Sequence, residues 1–255
     1  MIDAVKQLPG GYGMSEGGVA VPSSVLPMPP AFSMASFDQD EAYVPGMSRL
    51  SRPSPLASDA GRHGSGERPD CAGRRRFLMG AAAGLAAAAV PFAWPSKAMA
   101  AGFWDGDRKL SLYRPRTGER ITNVVYWSNG QVNVPGYAQV CRLMRDVKAN
   151  QTVQISPRLL DLLCAIQSWV AQYGYGKHLQ INSGYRNPRT NAGTEGAARN
   201  SMHMYACAAD IVMPGLPTAY VGKLAQRYAA GGVGFYPSSG FIHVDTGRVR
   251  TWRGG

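Results

Sequence analysis

The sequence predicts an α+β fold, with a small, mostly antiparallel sheet and flanking helices, confined to residues 101–255. Helical spacing of apolar residues is concentrated early in this region, whereas short strand-like runs joined by tight turns cluster near its end. Residues 1–72 show neither period and are rich in Pro, Gly, Ser and Met. We therefore expect one folded domain, placed in the C-terminal part of the chain.

A hairpin and a helix are expected at the start of this domain. The runs 109–114 and 120–127 are short stretches of strand-forming residues that flank the turn sequence PRTG, and a second turn is expected at 128–130. Apolar residues then recur at helical spacing after Pro135. This spacing predicts a helix over about 136–147.

The clearest helix is amphipathic and begins at Ser156, with serine as the N-cap and Pro157 at the first helical position. Its apolar residues recur at i, i+4, i+7 and i+11, and they are Leu159, Leu163, Ile166 and Val170. This pattern predicts a helix that ends near Gly174.

The second half of the domain is expected to supply most of the sheet. We predict a strand, a long polar loop, a strand, a helix, and two strands joined by a PSSG turn, in that order. Their expected bounds are 178–182, 187–202, 207–212, 217–230, 233–236 and 241–245.

Residues 73–100 resemble a twin-arginine (Tat) signal peptide. Three arginines precede Phe-Leu, an uncharged Ala-rich run over 78–90, and the small-x-small sequence Ala-Met-Ala, so we place cleavage after Ala100. A membrane-spanning helix needs about 20 residues, and this run is shorter. The alternative, a short buried helix, would begin with three arginines and end in two prolines. We therefore expect an exported, periplasmic domain with no stable membrane span after cleavage.

Residues 1–72 are expected to be either disordered or an extension wrongly included in the reading frame. A signal peptide normally has a short stretch before its arginines, and this chain has 73 residues there. Met47 is the best candidate for a start codon downstream of Met1.

The net charge of +11 first suggests a nucleic-acid partner. Most of that charge lies after Ala100, where 18 Lys and Arg stand against 8 Asp and Glu. An exported domain meets no genome, and the sequence carries no nucleic-acid recognition motif. We therefore exclude nucleic acid as a partner, and the sequence leaves the oligomeric state undetermined.

Two histidines and an aspartate form a candidate metal site. Asp210 follows His203 by seven residues, and His243 lies within the apolar run FIHVD. Two imidazoles and one carboxylate suit zinc and leave a position for water. Spacing alone is weak evidence, because a buried strand histidine is more often a core residue than a ligand.

A longer pattern is more specific. It comprises the SGYR sequence ending at Arg186, then Asn191, the sequence S-x-H-x-x-A-x-A-x-D-I over 201–211, and FIHVD over 241–245. Across about 108–253 this resembles the zinc peptidases related to D-Ala-D-Ala carboxypeptidases, lysostaphin and the sonic hedgehog amino-terminal domain. The nearest resemblance is to the exported murein endopeptidase K (YcbK-like) branch.

This resemblance implies roles for individual residues. His203, Asp210 and His243 match three ligands to one Zn²⁺ per domain. Arg186 matches an arginine that binds substrate and stabilises the developing oxyanion, a role that suits a fixed guanidinium. Residues at two further positions, Asn191 and Ser201, are expected to shape the substrate-binding site.

The resemblance also implies an activity. It predicts an exported zinc metallopeptidase, a murein endopeptidase of DD or LD type that hydrolyses cross-links or stem peptides of peptidoglycan in cell wall remodelling. Carboxypeptidase trimming is less expected. Peptidoglycan is the expected partner, because its free carboxylates attract an arginine-rich domain. The alternative is a non-catalytic peptidoglycan-binding module on the same fold.

The chain departs from the pattern of this group at two positions. Ala206 stands where glycine is usual, a small change unless the backbone needs a positive φ. Gly240 stands where several relatives carry a glutamate, and this loss favours the binding module. Asp245 points to the same strand face as His243. Our hypothesis is that Asp245 either orients His243 or accepts a proton from the attacking water.

Overall fold

The computed structural model describes residues 26–29, 34, 104–175 and 178–254. The predicted signal peptide and most of the predicted extension lie outside these residues, so both stay predictions. Within the described residues, no helix is long and apolar enough to span a membrane.

An eight-stranded sheet forms the centre of the domain and is mostly antiparallel, as predicted. The strand order is β3-β2-β1-β4-β5-β7-β6-β8, and only the β1–β4 and β6–β8 pairs are parallel. The sheet is larger than expected because β3 and β8 were not predicted. The strands are β1 (Arg108–Arg114), β2 (Glu119–Ser128), β3 (Gln131–Val132), β4 (Leu179–Ser183), β5 (Ala208–Val212), β6 (Gly232–Tyr236), β7 (Phe241–Asp245) and β8 (Arg250–Arg253).

In the part of the domain that the structure describes, four helices and one 3₁₀ turn accompany the sheet, which confirms the α+β class. The long helix begins with Ser156 as N-cap and Pro157 at its first position, as predicted, although the serine side chain makes no capping hydrogen bond. The elements are α1 (Val134–Leu143), α2 (Pro157–Ala171), α3 (Pro188–Ala192), the 3₁₀ turn (Met202–Tyr205) and α4 (Thr218–Arg227).

Two of these elements differ from the predicted ones. Helix α1 ends four residues earlier than predicted, because Arg114 donates to the carbonyl oxygens of Leu143 and Arg145 and holds the chain in a turn there. Helix α3 lies inside the predicted loop, where the Asn187 side chain accepts from Thr190 N at 2.7 Å. An Asn-Pro pair is a helix start signal that the polar composition of this segment obscured.

The two faces of the sheet have different partners. Ala209, Ile211, Ile242 and Val244 belong to one buried cluster together with apolar residues of α2 and α4. Because side chains alternate along a strand, Asp210 and His243 point to the opposite face. The helices therefore build the core on one side and leave the other side of β5 and β7 for polar residues.

A buried ion pair joins α2 to the first strand. Arg108 donates to both carboxylate oxygens of Asp161 at 2.9 Å, and the Tyr126 hydroxyl donates to the same carboxylate at 2.8 Å. Burial raises the pKa of Asp161, and the charge of Arg108 opposes that effect. This pair fixes where α2 packs on the sheet.

We expect Asp161→Asn to lower the free energy of unfolding by about 3 kcal/mol or more, because it leaves the buried Arg108 without a counter-charge. Urea denaturation of the full chain measures this effect. The matched control is Glu119→Gln, which removes the counter-charge of Arg145. Because the Glu119 side chain is more exposed than that of Asp161, this loss should lower the free energy of unfolding by less than about 1 kcal/mol. Equal losses in the two variants would contradict the structural role of the Arg108 pair.

Candidate metal centre

Strand pairing brings Asp210 and His243 together. They are directly opposite one another in the antiparallel β5–β7 pair. His203 lies in the 3₁₀ turn that precedes β5, and Ala206 ends this turn in a left-handed conformation with φ 56°. One potential ligand atom from each of the three residues lies within 4.8 Å of the others, and all three residues are buried. The structure thus assembles the triad that the sequence predicts.

The three ligand atoms form a nearly equilateral triangle. His203 Nε2 lies 3.2 Å from Asp210 Oδ1 and 3.1 Å from His243 Nδ1, and the third side measures 3.0 Å. Ligands about 2.0–2.1 Å from a tetrahedral zinc ion lie about 3.3 Å from one another. The triangle is therefore close to the size that a zinc ion requires.

The outward hydrogen bonds of the two histidines fix the direction of their lone pairs. His203 Nδ1 lies 2.6 Å from the Gly184 carbonyl oxygen, which can only accept, so this nitrogen carries the proton. His243 Nε2 lies 3.0 Å from an Asp245 carboxylate oxygen and donates for the same reason. In the neutral rings the other nitrogens carry lone pairs that point at each other and at Asp210. Three acceptors at this distance fit a bound cation.

The charges around the triad also favour a cation. Burial lowers the pKa of His203, and Asp210 only partly opposes this. Burial likewise disfavours charge on His243, but Asp210 and Asp245 outweigh it and raise the pKa of that ring. Burial opposes ionisation of Asp210, yet the two histidines hold the pKa of its carboxyl below the usual range. The site keeps its carboxylate ionised and gains from a positive charge.

Asp245 is fully buried, and its carboxylate is surrounded by donors. Besides His243, it accepts from the backbone N–H groups of Gly232 and Gly247, each at 2.9 Å, and from Arg250 at 2.8 Å. Burial opposes its ionisation, but these partners hold the pKa of Asp245 below the usual range. A Cβ on Gly232 would overlap both this carboxylate and Arg250, so the close approach requires glycine.

Arg186 is the predicted site residue that reaches the triad from outside it. Its guanidinium donates to Asp210 Oδ2, and its Nε donates to the Ser183 hydroxyl at 2.7 Å. The Arg186 side chain keeps 15 % of its surface exposed. A fixed, partly accessible guanidinium therefore lies beside the candidate metal ligands.

The other two predicted residues contact the loops around the triad. Ser201 caps the 3₁₀ turn, where its hydroxyl accepts from the His203 N–H at 3.4 Å. Asn191 donates to the Ala198 carbonyl at 3.0 Å, whereas its buried Oδ1 finds no donor among the described residues. Ser201 thus shapes the backbone at His203. Asn191 holds the loop that contains Ala198.

Sequence reasoning did not select the aromatic wall of the site. Trp252 on β8 lies with its ring centre 5.2 Å from that of His243, and its Nε1 donates to the Tyr236 hydroxyl at 3.1 Å. The indole lies over Gly234, where any Cβ would overlap it. The signal available was the pair of glycines at alternate positions of β6, Gly232 and Gly234, but its meaning depends on the parallel pairing with β8.

Comparison with known proteins identifies relatives of the whole domain. The family model described as "Peptidoglycan L,D-endopeptidase MepK" matches residues 104–252. The peptidoglycan L,D-endopeptidase MepK of Escherichia coli K12 is 34% identical over 185 residues, which are 71% of this chain and 97% of that protein. A probable peptidoglycan L,D-endopeptidase MepK of Haemophilus influenzae is 35% identical over 151 residues, which are 58% of this chain and 80% of that protein.

We expect Ala206→Gly to stabilise the domain by about 0.5–1 kcal/mol, because alanine pays a steric cost at φ 56° that exceeds the extra chain entropy of glycine. Denaturant unfolding of the two proteins measures this. The matched control is Ala209→Gly in the extended strand β5, which should destabilise the domain. A loss of stability in Ala206→Gly would show that the left-handed turn is not strained.

Proposed function

We propose a function from one premise: the chain belongs to the peptidoglycan L,D-endopeptidase MepK family. The proposed function is hydrolysis of amide bonds in the peptide cross-links of peptidoglycan, with the L,D type named for the relatives preferred over the D,D type. The observation that carries the proposal is the convergence of three potential ligand atoms, one from each residue of the triad, beside a fixed arginine.

In this proposal His203, Asp210 and His243 hold one Zn²⁺. When bound, such an ion polarises a carbonyl group and makes water a better nucleophile. The fit of the triangle and the outward N–H groups of both histidines support the assignment. The protein thereby presents its ligands already oriented, without rearrangement of either ring.

The proposed role of Arg186 is to bind the substrate carbonyl or carboxylate. Its charge is permanent, its Nε is held by Ser183, and part of its surface is accessible. A guanidinium fixed in this way stabilises negative charge that develops on the scissile carbonyl oxygen.

The contacts of Asp245 support a positioning role and not that of a general base. A base needs a lone pair directed at the attacking water, whereas the carboxylate oxygens of Asp245 accept from His243, Arg250 and two backbone N–H groups. Its complete burial also separates it from substrate. Asp245 acts through His243, whose ring it orients.

The arginine-rich surface and the predicted export signal support the same substrate. Peptidoglycan stem peptides carry free carboxylates, so a domain with excess positive charge attracts this polymer. The proposed location is the periplasm, reached through the Tat signal predicted at 73–100. Peptidoglycan lies in that compartment.

Digestion of purified cell-wall sacculi tests the function. The zinc-loaded protein should release cross-link fragments whose masses identify an L,D bond, and both a chelator and His203→Ala should abolish release. The matched control is His178→Ala, because His178 lies away from the triad and hydrogen-bonds to Thr122 at 2.8 Å. Sacculus binding without release by the unmodified protein would refute hydrolysis and support the non-catalytic binding module.

The zinc affinity of an Asp245 variant distinguishes a positioning role for this residue from the role of a general base. Asp245→Asn should weaken zinc binding about 10–100-fold, and activity should return when zinc is saturating. Competition with a zinc chelator dye measures the affinity, and Asp107→Asn, an exposed substitution, is the control. Unchanged zinc affinity with lost turnover at saturating zinc would instead identify Asp245 as a catalytic base.

A further inference from the structure

A short N-terminal segment contacts the folded domain on the side of the sheet opposite the candidate metal centre. This segment, which we call the strap, consists of residues 26–29 and residue 34. Leu26 and Met34 are 7% and 3% exposed and belong to the main apolar cluster, and Met28 packs against it. A segment whose apolar side chains are buried in the core of the domain is part of the folded structure.

The strap is bound through its main chain. The Pro27 carbonyl oxygen accepts from Trp169 Nε1 at 3.1 Å and from the Tyr220 hydroxyl at 3.0 Å. The Pro29 carbonyl accepts from Arg227 Nε at 3.1 Å. At the other end, the Met34 N–H donates to the Tyr228 carbonyl at 3.0 Å. Side chains on the domain thus satisfy the carbonyls of two prolines.

The groove under the strap is built from α2 and α4. Trp169 of α2 donates also to the Tyr220 hydroxyl of α4 at 3.3 Å, so the two donors converge on one carbonyl. Tyr173 stands one turn after Trp169, with their ring centres 5.8 Å apart. Proline-rich segments are generally recognised in grooves lined by aromatic side chains, and this groove adds aromatic N–H and O–H donors to a proline carbonyl.

We propose that this groove is a binding site for a proline-rich segment and that its occupant is the strap of the same chain. Prolines have few conformations to lose on binding, so Pro27 and Pro29 lower the entropic cost of docking. Sixty-nine residues lie between Met34 and Trp104, enough chain to reach the groove from within the same molecule.

The strap and the candidate metal centre lie on opposite sides of the sheet. The groove belongs to the helix layer, whose apolar residues pack on the face that carries Ile211 and Val244. Asp210 and His243 point to the other face. The strap therefore ties the N-terminal segment to the domain without covering the site. A chain starting at Met47 would lack it, as would a domain cleaved after Ala100.

Hydrogen exchange of the uncleaved full chain tests this proposal. Peptides that cover the strap should exchange more slowly than an unstructured segment, with the Met34 amide protected by Tyr228. Tyr220→Phe removes one donor to the Pro27 carbonyl and should reduce the protection roughly tenfold. The matched control is Tyr113→Phe on β1, which should leave strap protection unchanged.

Changes in the strap itself provide a second readout. Leu26→Asp should abolish protection of the strap while the exchange of β5 stays as in the unmodified protein, and Leu26→Met should retain it. Exchange of the unmodified strap at the rate of an unstructured peptide would overturn the proposal. Protection that rises with protein concentration would also overturn it, because the occupant would then be the strap of a second copy.

Discussion

The candidate site depends on one constraint, which is that both histidines direct their protons away from each other. The Gly184 carbonyl and the Asp245 carboxylate take those protons, so two lone pairs and one carboxylate oxygen meet at 3.0–3.2 Å. Such a meeting of acceptors is unfavourable without a cation. The surrounding structure has to hold it in place, and much of the local architecture serves that purpose.

That support reaches from the triad to the last strand. Asp245 is held by Arg250 and by the backbone of Gly232, so the β6–β8 pairing contributes directly to the orientation of His243. Trp252 of the same strand packs on the His243 ring. On the other side, Arg186 joins Ser183 of β4 to Asp210. The ligands are therefore fixed from both neighbouring strands of the β5–β7 pair.

Local periodicity in the sequence predicted the α+β class and most strands. The triad was predicted because the longer pattern of residues around it resembles a family of zinc peptidases, whereas the spacing of the two histidines and the aspartate alone was weak evidence. The sequence did not predict β8 or the packing of Trp252, since a four-residue strand paired in parallel leaves no local pattern. The role of Asp245 also stayed open at that level. Its donors come from β6, β8 and the turn before β8, and only the fold brings them to one carboxylate.

The parallel pairing of β1 with β4 has a consequence for the order of folding. Leu112 pairs with Leu179, so this contact closes a loop of more than sixty residues, whereas the β6–β7 hairpin closes within a few. Long-range closure costs more chain entropy than local pairing and slows folding. We expect the β6–β7 ribbon to form early and the N-terminal hairpin to dock late. The contact between Arg186 and Asp210 would then form only after β4 has paired with both β1 and β5.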